Sequence, residues 1–189
     1  MLAQQRHVYE VEMKVRTGHD EVRDRLYDLG AEPLGSVVQE DTYYDAPHRD
    51  FAETDEALRV RHEKPEDRPP RAYITYKGPL VDDESKTREE AETPVGDEAA
   101  ARDILASLGF RPAATVHKSR ERHAVEAYTV TLDAVEGLGE FVEVETETEH
   151  GLDAAREGAF EVLRGLGLDP ADGIRTSYLG LLLAADNPE

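Results

Sequence analysis

Val8-Tyr-Glu-Val-Glu-Met-Lys-Val-Arg16 alternates apolar and charged side chains along its whole length. Successive side chains of a β-strand point to opposite faces, so residues two apart share a face. One face carries Tyr9, Val11, Met13 and Val15, and the other carries Glu10, Glu12, Lys14 and Arg16. The stretch therefore predicts a strand on which every side chain of one face is ionisable.

The same alternation recurs along the chain, interrupted by segments with helical spacing. The predicted strands are Val8–Arg16, Val37–Tyr44, Ala57–Glu63, Arg71–Lys77, Thr87–Pro94, two within His117–Asp133, and Gly139–Thr148. The predicted helices are His19–Leu29, Asp97–Leu108, Leu152–Leu166 and Thr176–Ala185. Polar segments at Glu66–Pro70 and Leu80–Ser85 are expected to be hairpin loops. Helices inserted between antiparallel strands predict an α+β fold, and the lack of a repeat or long linker predicts one domain over residues 1–189.

The chain is strongly acidic: 42 Asp and Glu against 22 Lys and Arg give a formal charge of −20 over 189 residues. A field of this sign repels a phosphate backbone, so we expect no nucleic-acid partner. The lack of cysteine excludes disulfide scaffolds and thiolate metal sites. The longest apolar stretch, Tyr178–Ala185, is too short to span a bilayer. We expect a cytoplasmic protein with no membrane partner, whose acidic, Arg-rich composition reflects a halophilic cytoplasm.

Basic side chains gather on the strand faces despite this composition. They are Lys14, Arg16, Arg59, Arg61, Arg71, Lys77, Arg88, Lys118, Arg120 and Arg122. On a single strand, a polar face turned toward water is the ordinary interpretation. In so acidic a chain, basic residues kept in register are instead expected to face one another. Closing about eight strands into a barrel turns these faces inward around space for one small ligand, and a polyphosphate would satisfy the cations.

Two pairs of carboxylates share these faces: Glu10 with Glu12, and Glu143 with Glu145. Each pair either forms salt bridges with the neighbouring Arg and Lys residues or binds a hard cation. Oxygen ligands suit Mg²⁺ or Mn²⁺ that also contacts a substrate phosphate, whereas the spacing of the seven histidines disfavours zinc. The chain has no Gly-x-x-x-x-Gly-Lys-Ser/Thr loop and no Gly-x-Gly-x-x-Gly after a strand.

Six blocks of sequence follow one another along the chain: Tyr9-Glu-Val-Glu-Met-Lys14, Asp41-Thr-Tyr-Tyr-Asp45, Arg49 to Arg61, Thr75-Tyr-Lys-Gly-Pro79, Ser85-Lys-Thr-Arg-Glu-Glu90 and Leu132 to Glu145. Together they resemble the CYTH superfamily of triphosphate tunnel metalloenzymes, and most closely its class IV adenylate cyclase branch. The first block alone, Glu-x-Glu-x-Lys, is a weak signal, but six in order are a strong one. The resemblance implies an antiparallel eight-stranded barrel with helices packed outside.

The resemblance also implies roles for the residues of these blocks. Those expected to bind substrate phosphate are Lys14, Arg59, Arg61, Lys77, Lys118 and Arg120, joined by Arg88, which with Glu90 matches a lumen position. Those expected to bind or orient a metal are Glu10, Glu12, Asp133, Glu143 and Glu145. Glu12, Lys14, Lys77 and Arg120 are the residues expected to be catalytic.

Three functions remain open at this stage. The leading one is an adenylate cyclase that uses Mg²⁺ or Mn²⁺ to convert ATP to cyclic AMP and pyrophosphate. The second is a tunnel triphosphatase acting on inorganic triphosphate, thiamine triphosphate or a nucleoside triphosphate. The third is a protein that binds a nucleotide or polyphosphate without turnover. The sequence leaves the oligomeric state open between a monomer and a homodimer.

Overall fold

An antiparallel β-barrel organises the chain in a computed structural model that describes residues 8–81 and 85–186. The strands found there are β1 (Tyr9–Arg16), β2 (Glu32–Asp45), β3 (Ala57–Pro65), β4 (Arg71–Leu80), β5 (Lys86–Val95), β6 (Arg111–Val125), β7 (Tyr128–Val135) and β8 (Gly139–Thr148). Around the barrel their order is β1-β5-β4-β3-β2-β6-β7-β8, and the sheet is closed. The prediction of a closed eight-stranded barrel is confirmed.

Five α-helices occur in the described part of the chain. They are α1 (His19–Asp28), α2 (Phe51–Thr54), α3 (Glu98–Ser107), α4 (Leu152–Gly165) and α5 (Tyr178–Asp186), and a 3-10 helix spans Pro170–Asp172. The sequence pattern did not indicate α2, because four residues are too short to show helical periodicity; the Asp50 side chain begins it by accepting from the Ala52 N–H at 2.8 Å. None of the described helices has the length and apolarity needed to cross a membrane.

Strand boundaries differ from the predictions most at β2 and β6, and β6 begins at Arg111, six residues before the predicted His117. β2 begins at Glu32, five residues before the predicted Val37, because the segment beyond a bulge near Gly35 still pairs with the end of β6. β5 begins at Lys86 and places that residue opposite Glu12 of β1. Glu66–Pro70 connects β3 and β4 as expected, whereas residues 82–84 of the second predicted loop lie outside the described residues.

The largest apolar cluster lies outside the barrel wall, because the strands turn their charged faces inward. Val15 of β1 and Val144 of β8 pack against Leu26 of α1 and Leu163 of α4 in one buried cluster. A second cluster includes Phe141 and Tyr178, whose rings meet edge to face at 5.1 Å between centroids. Phe141 shares a strand face with Glu143, so this second cluster lies on the inner side of the strands. Ionisable side chains line most of the remaining interior, and the first residue of α5 lies beside them.

Candidate active site

The barrel encloses a cavity of about 240 Å³ lined mainly by charged side chains, called here the interior cavity. Among the described residues, its basic lining consists of Lys14, Arg59, Arg61, Lys77, Lys86, Arg88, Lys118, Arg120 and Arg122. Its acidic lining consists of Glu10, Glu12, Glu63, Glu90, Glu92, Glu143, Glu145 and Glu147. Every residue predicted from the sequence to bind phosphate is therefore present, as are four of the five predicted to bind metal.

Two basic residues predicted to face inward do not line the interior cavity. Arg71 is exposed at the start of β4. Arg16 ends β1, donates to the Leu138 carbonyl at 2.8 Å and lies over the Phe141 ring. Strand ends explain both cases, since alternation assigns a face but does not say where the barrel wall stops.

Asp41, buried on β2, holds the basic side chains of one wall. Arg61 donates to both of its carboxylate oxygens, at 2.6 and 2.7 Å, and Arg59 donates at 3.4 Å. Burial opposes ionisation of Asp41, but the two guanidinium groups hold the pKa of its carboxyl well below the usual range. Both arginines are thereby fixed with their forks beside the cavity.

Asp133 has a corresponding place on β7, two strands away from β2 around the barrel. Its oxygens accept from Arg120 at 2.7 and 2.6 Å and from the Tyr178 hydroxyl at 3.0 Å, and Lys118 lies 3.6 Å away. Arg120 also donates to Glu143. Asp133 is fully buried behind the lining rather than part of it. In this structure it orients Arg120, and its predicted role toward a metal stays a prediction.

Lys14 and Lys77 are each shared between two carboxylates. Lys14 Nζ lies 3.1 Å from Glu12 and 3.2 Å from Glu143, and Lys77 contacts Glu10 and lies 2.9 Å from Glu90. Burial favours the neutral amines, but the paired acids outweigh it and raise the pKa of both lysines above the ordinary value. Both lysines are therefore cations at neutral pH.

In contrast, the pKa values of Lys86 and Lys118 are lowered. Burial, together with Lys14 and Arg88, lowers the pKa of Lys86 to about 7, and burial with Arg120 lowers the pKa of Lys118 to about 8. Lys86 Nζ is 3.9 Å from the nearest Glu12 oxygen, too far for a hydrogen bond. Lys86 is therefore only partly protonated at neutral pH, and an anionic ligand would favour the charged form of both amines.

Several carboxylates of the cavity lining lie close to Glu145. Burial and the nearby Glu10 and Glu143 carboxylates raise the pKa of Glu145 to about 7, although Arg120, 4.0 Å away, opposes the shift. Within residues 8–81 and 85–186, no three His, Asp or Glu side chains are arranged as a ready-made metal site. The donor set nevertheless fits a hard divalent cation, because these are oxygen ligands with a local excess of negative charge.

Lys86, Asp41 and Tyr178 are among the residues of this site that the sequence analysis did not predict. Lys86 was passed over because the predicted strand began one residue later; its place two positions before Arg88 was the available signal. Asp41 stands two residues before Tyr43 in a quoted block, so period two could have placed it inside. Tyr178, whose ring lies 4.3 Å from Lys14 Nζ, comes from a helix, and no strand pattern could have placed it.

Comparison with known proteins gives a consistent picture. The sequence profile of the CYTH domain matches residues 8–178. "Putative adenylate cyclase MJ0240" of Methanocaldococcus jannaschii is 39% identical over 175 residues, 91% of this chain and 97% of that protein. "Adenylate cyclase CyaB" of Aeromonas hydrophila is 31% identical over 174 residues, 90% of this chain and 86% of that protein. The solved structure of PH1819 from Pyrococcus horikoshii OT3 has a TM-score of 0.86 and 39% identity, covering 93% of this chain and 99% of that one.

Proposed function

Since this chain belongs to the CYTH family, we propose that it is a divalent-metal-dependent adenylate cyclase that converts ATP to cyclic AMP and pyrophosphate. The observation that carries the proposal is the interior cavity, where basic side chains converge inside a protein of formal charge −20. Burying so many cations is costly unless anions accompany them. The names of the relatives support cyclisation as the reaction.

We assign the substrate phosphates to the basic side chains that line the interior cavity. Arg59, Arg61 and Arg120 present planar donor forks, which suit the paired oxygens of a phosphate. Lys14 and Lys77 supply compact positive charges. Each of these side chains is held by a carboxylate in the structure, so phosphate oxygens would replace or share existing contacts at fixed positions. Such preorganisation stabilises charge that develops during a reaction.

In the reaction, the ribose 3′ oxygen forms a bond to the α-phosphorus while the bond from that phosphorus to the bridging oxygen breaks. Pyrophosphate leaves with the electron pair, and the hydroxyl proton passes to water. Lys14, Lys77 and Arg120 are proposed to hold the leaving pyrophosphate, where negative charge increases. Glu10, Glu12, Glu143 and Glu145 would hold the cation, which when bound neutralises phosphate charge and acidifies the hydroxyl.

Product analysis tests this function against its alternatives. Purified protein is incubated with ATP and Mn²⁺ or Mg²⁺ in high salt, and cyclic AMP, pyrophosphate and orthophosphate are each quantified. Equal amounts of cyclic AMP and pyrophosphate are expected. Orthophosphate without cyclic AMP would instead identify a triphosphatase, and nucleotide binding with no product would identify a non-catalytic binding protein.

A matched pair of variants ties the activity to the cavity. Lys77→Ala removes a lining cation, whereas Lys64→Ala removes an exposed cation from neighbouring β3. We expect the first to lose activity and the second to retain it. Equal activity in both would contradict the proposed site.

A further inference from the structure

Three buried side-chain atoms have no hydrogen-bond partner within the part of the chain that the structure describes: Gln39 Oε1, Arg122 Nε and Thr131 Oγ1. Gln39 and Arg122 both line the interior cavity, and Thr131 lies directly opposite Arg122 in the register of β6 and β7. Leaving a buried polar atom unpaired destabilises a fold, so native proteins rarely keep such atoms without a use for them. The two lining atoms therefore indicate a ligand that pairs with both.

The geometry around Glu63 fixes what these two side chains offer a ligand. The Gln39 amide nitrogen donates to one Glu63 oxygen at 2.7 Å, and Arg122 Nη2 lies 3.6 Å from the other. A carboxylate accepts hydrogen bonds, so Gln39 must turn its amide nitrogen toward Glu63 and leave its carbonyl oxygen free. Gln39 is only 1% exposed, so this orientation is held within the barrel. The site presents one free acceptor and one free donor.

This pair lies at the end of the interior cavity that is remote from α5. Tyr43 packs in one cluster with Tyr178, and Gln39 is four residues away from Tyr43 along β2, about 13 Å in an extended strand. Arg122 is the last residue of β6 that lines the cavity. The lining of β8, which runs in the same direction, ends at exposed Glu147, whose charge repels phosphate. A chain of phosphates among the cavity cations therefore ends beside Gln39 and Arg122.

We propose that Gln39 and Arg122 recognise the terminal phosphate of the substrate through its hydroxyl group. The free oxygens of an inner phosphate are ionised at neutral pH, so they can accept from Arg122 but cannot donate to the Gln39 carbonyl. A terminal phosphate has a second ionisation at about pH 6. Its singly protonated form has a hydroxyl that donates to Gln39 and ionised oxygens that accept from Arg122.

This inference rests on the proposed function and narrows its substrate. The site selects a nucleoside triphosphate whose terminal phosphate is free. A nucleotide esterified at that phosphate, such as a dinucleoside polyphosphate, has no hydroxyl there and would leave the Gln39 carbonyl unpaired. Arg122 and Gln39 are thus assigned to specificity for the end of the phosphate chain, and the chemistry at the α-phosphate is left to the other residues of the cavity.

The test compares α,β-methylene-ATP with its γ-methyl ester, which keeps the charge of the singly protonated terminal phosphate but lacks the hydroxyl. Dissociation constants are measured by calorimetry with Mn²⁺ at about pH 6.5. We expect wild type to bind the free nucleotide about tenfold more tightly than the ester. Gln39→Met removes the carbonyl acceptor and is expected to bring the two affinities within about twofold of each other. Lys64→Met, at an exposed position of β3, is the control and should keep the wild-type preference.

A second pair of variants tests the donor and applies even if Gln39→Met does not fold. Arg122→Gln removes the donor, and Arg71→Gln is the same change at an exposed position outside the cavity lining. The ligand is inorganic triphosphate, which has a terminal phosphate at each end and no nucleoside. We expect Arg122→Gln to bind it about tenfold more weakly than wild type and Arg71→Gln to bind it within about twofold of wild type.

The outcomes separate this inference from the proposed function. Equal affinity of wild type for the free nucleotide and its ester, a preference that Gln39→Met keeps, or unchanged triphosphate binding in Arg122→Gln would overturn the inference and leave the proposed function in place. Retention of an ordered water between the two side chains would give these results. Failure of α,β-methylene-ATP to bind wild type would overturn both. A preference that depends on Gln39, in a protein that forms no cyclic AMP, would support the inference and overturn the proposed function alone.

Discussion

Replacing Glu145 by glutamine is expected to stabilise the protein at alkaline pH while lowering its activity. Glu145 lies on β8 directly opposite Glu12 of β1 in the strand register. Like charges in that position repel each other, and the nearest recorded cation, Arg120 Nη1, is 4.0 Å away. The ionised carboxylate of Glu145 is thus unfavourable in the free protein, and a bound cation would stabilise it.

The pH dependence follows from the raised pKa. The pKa of Glu145 is about 7 in the folded protein against an ordinary 4.5. The folded state therefore holds the proton more tightly than the unfolded chain, and the resulting stabilisation is present below pH 4.5 and lost as the pH rises through 7. At about 1.4 kcal/mol per pKa unit, the shift of the Glu145 pKa from 4.5 to about 7 sets an upper limit of about 3.5 kcal/mol. Partial exposure and the lost attraction to Arg120 reduce the expected gain to about 1–3 kcal/mol at pH 8.

Chemical denaturation at constant high salt measures this gain at pH 5 and pH 8. Glu145→Gln is compared with wild type and with Glu136→Gln, the same change at an exposed position that does not line the interior cavity. The control is expected to stay within about 0.5 kcal/mol of wild type. A gain for Glu145→Gln that is absent at pH 8, or equal at both pH values, would refute the reasoning.

Four further outcomes are expected. Lys77→Ala should weaken inorganic triphosphate binding by about 1.5–3 kcal/mol in calorimetry; a dissociation constant equal to that of Lys64→Ala would contradict this. Arg120→Ala leaves Asp133 buried without its main partner and should cost about 3–5 kcal/mol of stability in denaturation, so unchanged unfolding would be a contrary result. Tyr178→Phe removes one donor to the same carboxylate and should cost about 1.5–3 kcal/mol by the same assay; a smaller cost than 0.5 kcal/mol would show that the bond is not stabilising. Lower salt should reduce the melting temperature, because the acidic surface is screened less, and equal melting temperatures in molar and dilute salt would argue against this.

The fold was largely predictable because its strands alternate without ambiguity. Glu12 and Lys14 had to share a face, as did Glu143 and Glu145, whatever the tertiary structure. Their inward orientation followed from the distribution of charge and not from periodicity. The short helix α2 was not predictable in this way, since it is begun by a single side-chain cap at Asp50.

The identity of the site residues was easier to predict than the ion pairs that they form with one another. Lys77 contacts Glu10 across the intervening strand β5, and Arg122 lies 3.6 Å from Glu63, although the paired residues are far apart in sequence. Such contacts depend on strand order and on barrel closure, which alternation does not contain. For the same reason, Tyr178 could be assigned to an apolar helix but not to a position over Lys14.

The charge distribution indicates where affinity for a polyanion arises. Within the described lining of the interior cavity, nine basic and eight acidic side chains give a formal charge of +1. The whole chain has a formal charge of −20, so the residues outside this lining sum to −21. At long range the protein repels a triphosphate, and electrostatic steering cannot assist its approach. Binding must come from short, desolvated contacts inside the barrel, where salt screens charges much less than at the surface.

Binding of phosphate and binding of a divalent cation involve the same glutamates. Because carboxylates already pair with the basic side chains of the cavity, each phosphate contact displaces a carboxylate that then needs another cation. Affinity for triphosphate and affinity for a divalent cation are thus coupled through the same glutamates, and each is expected to increase the other.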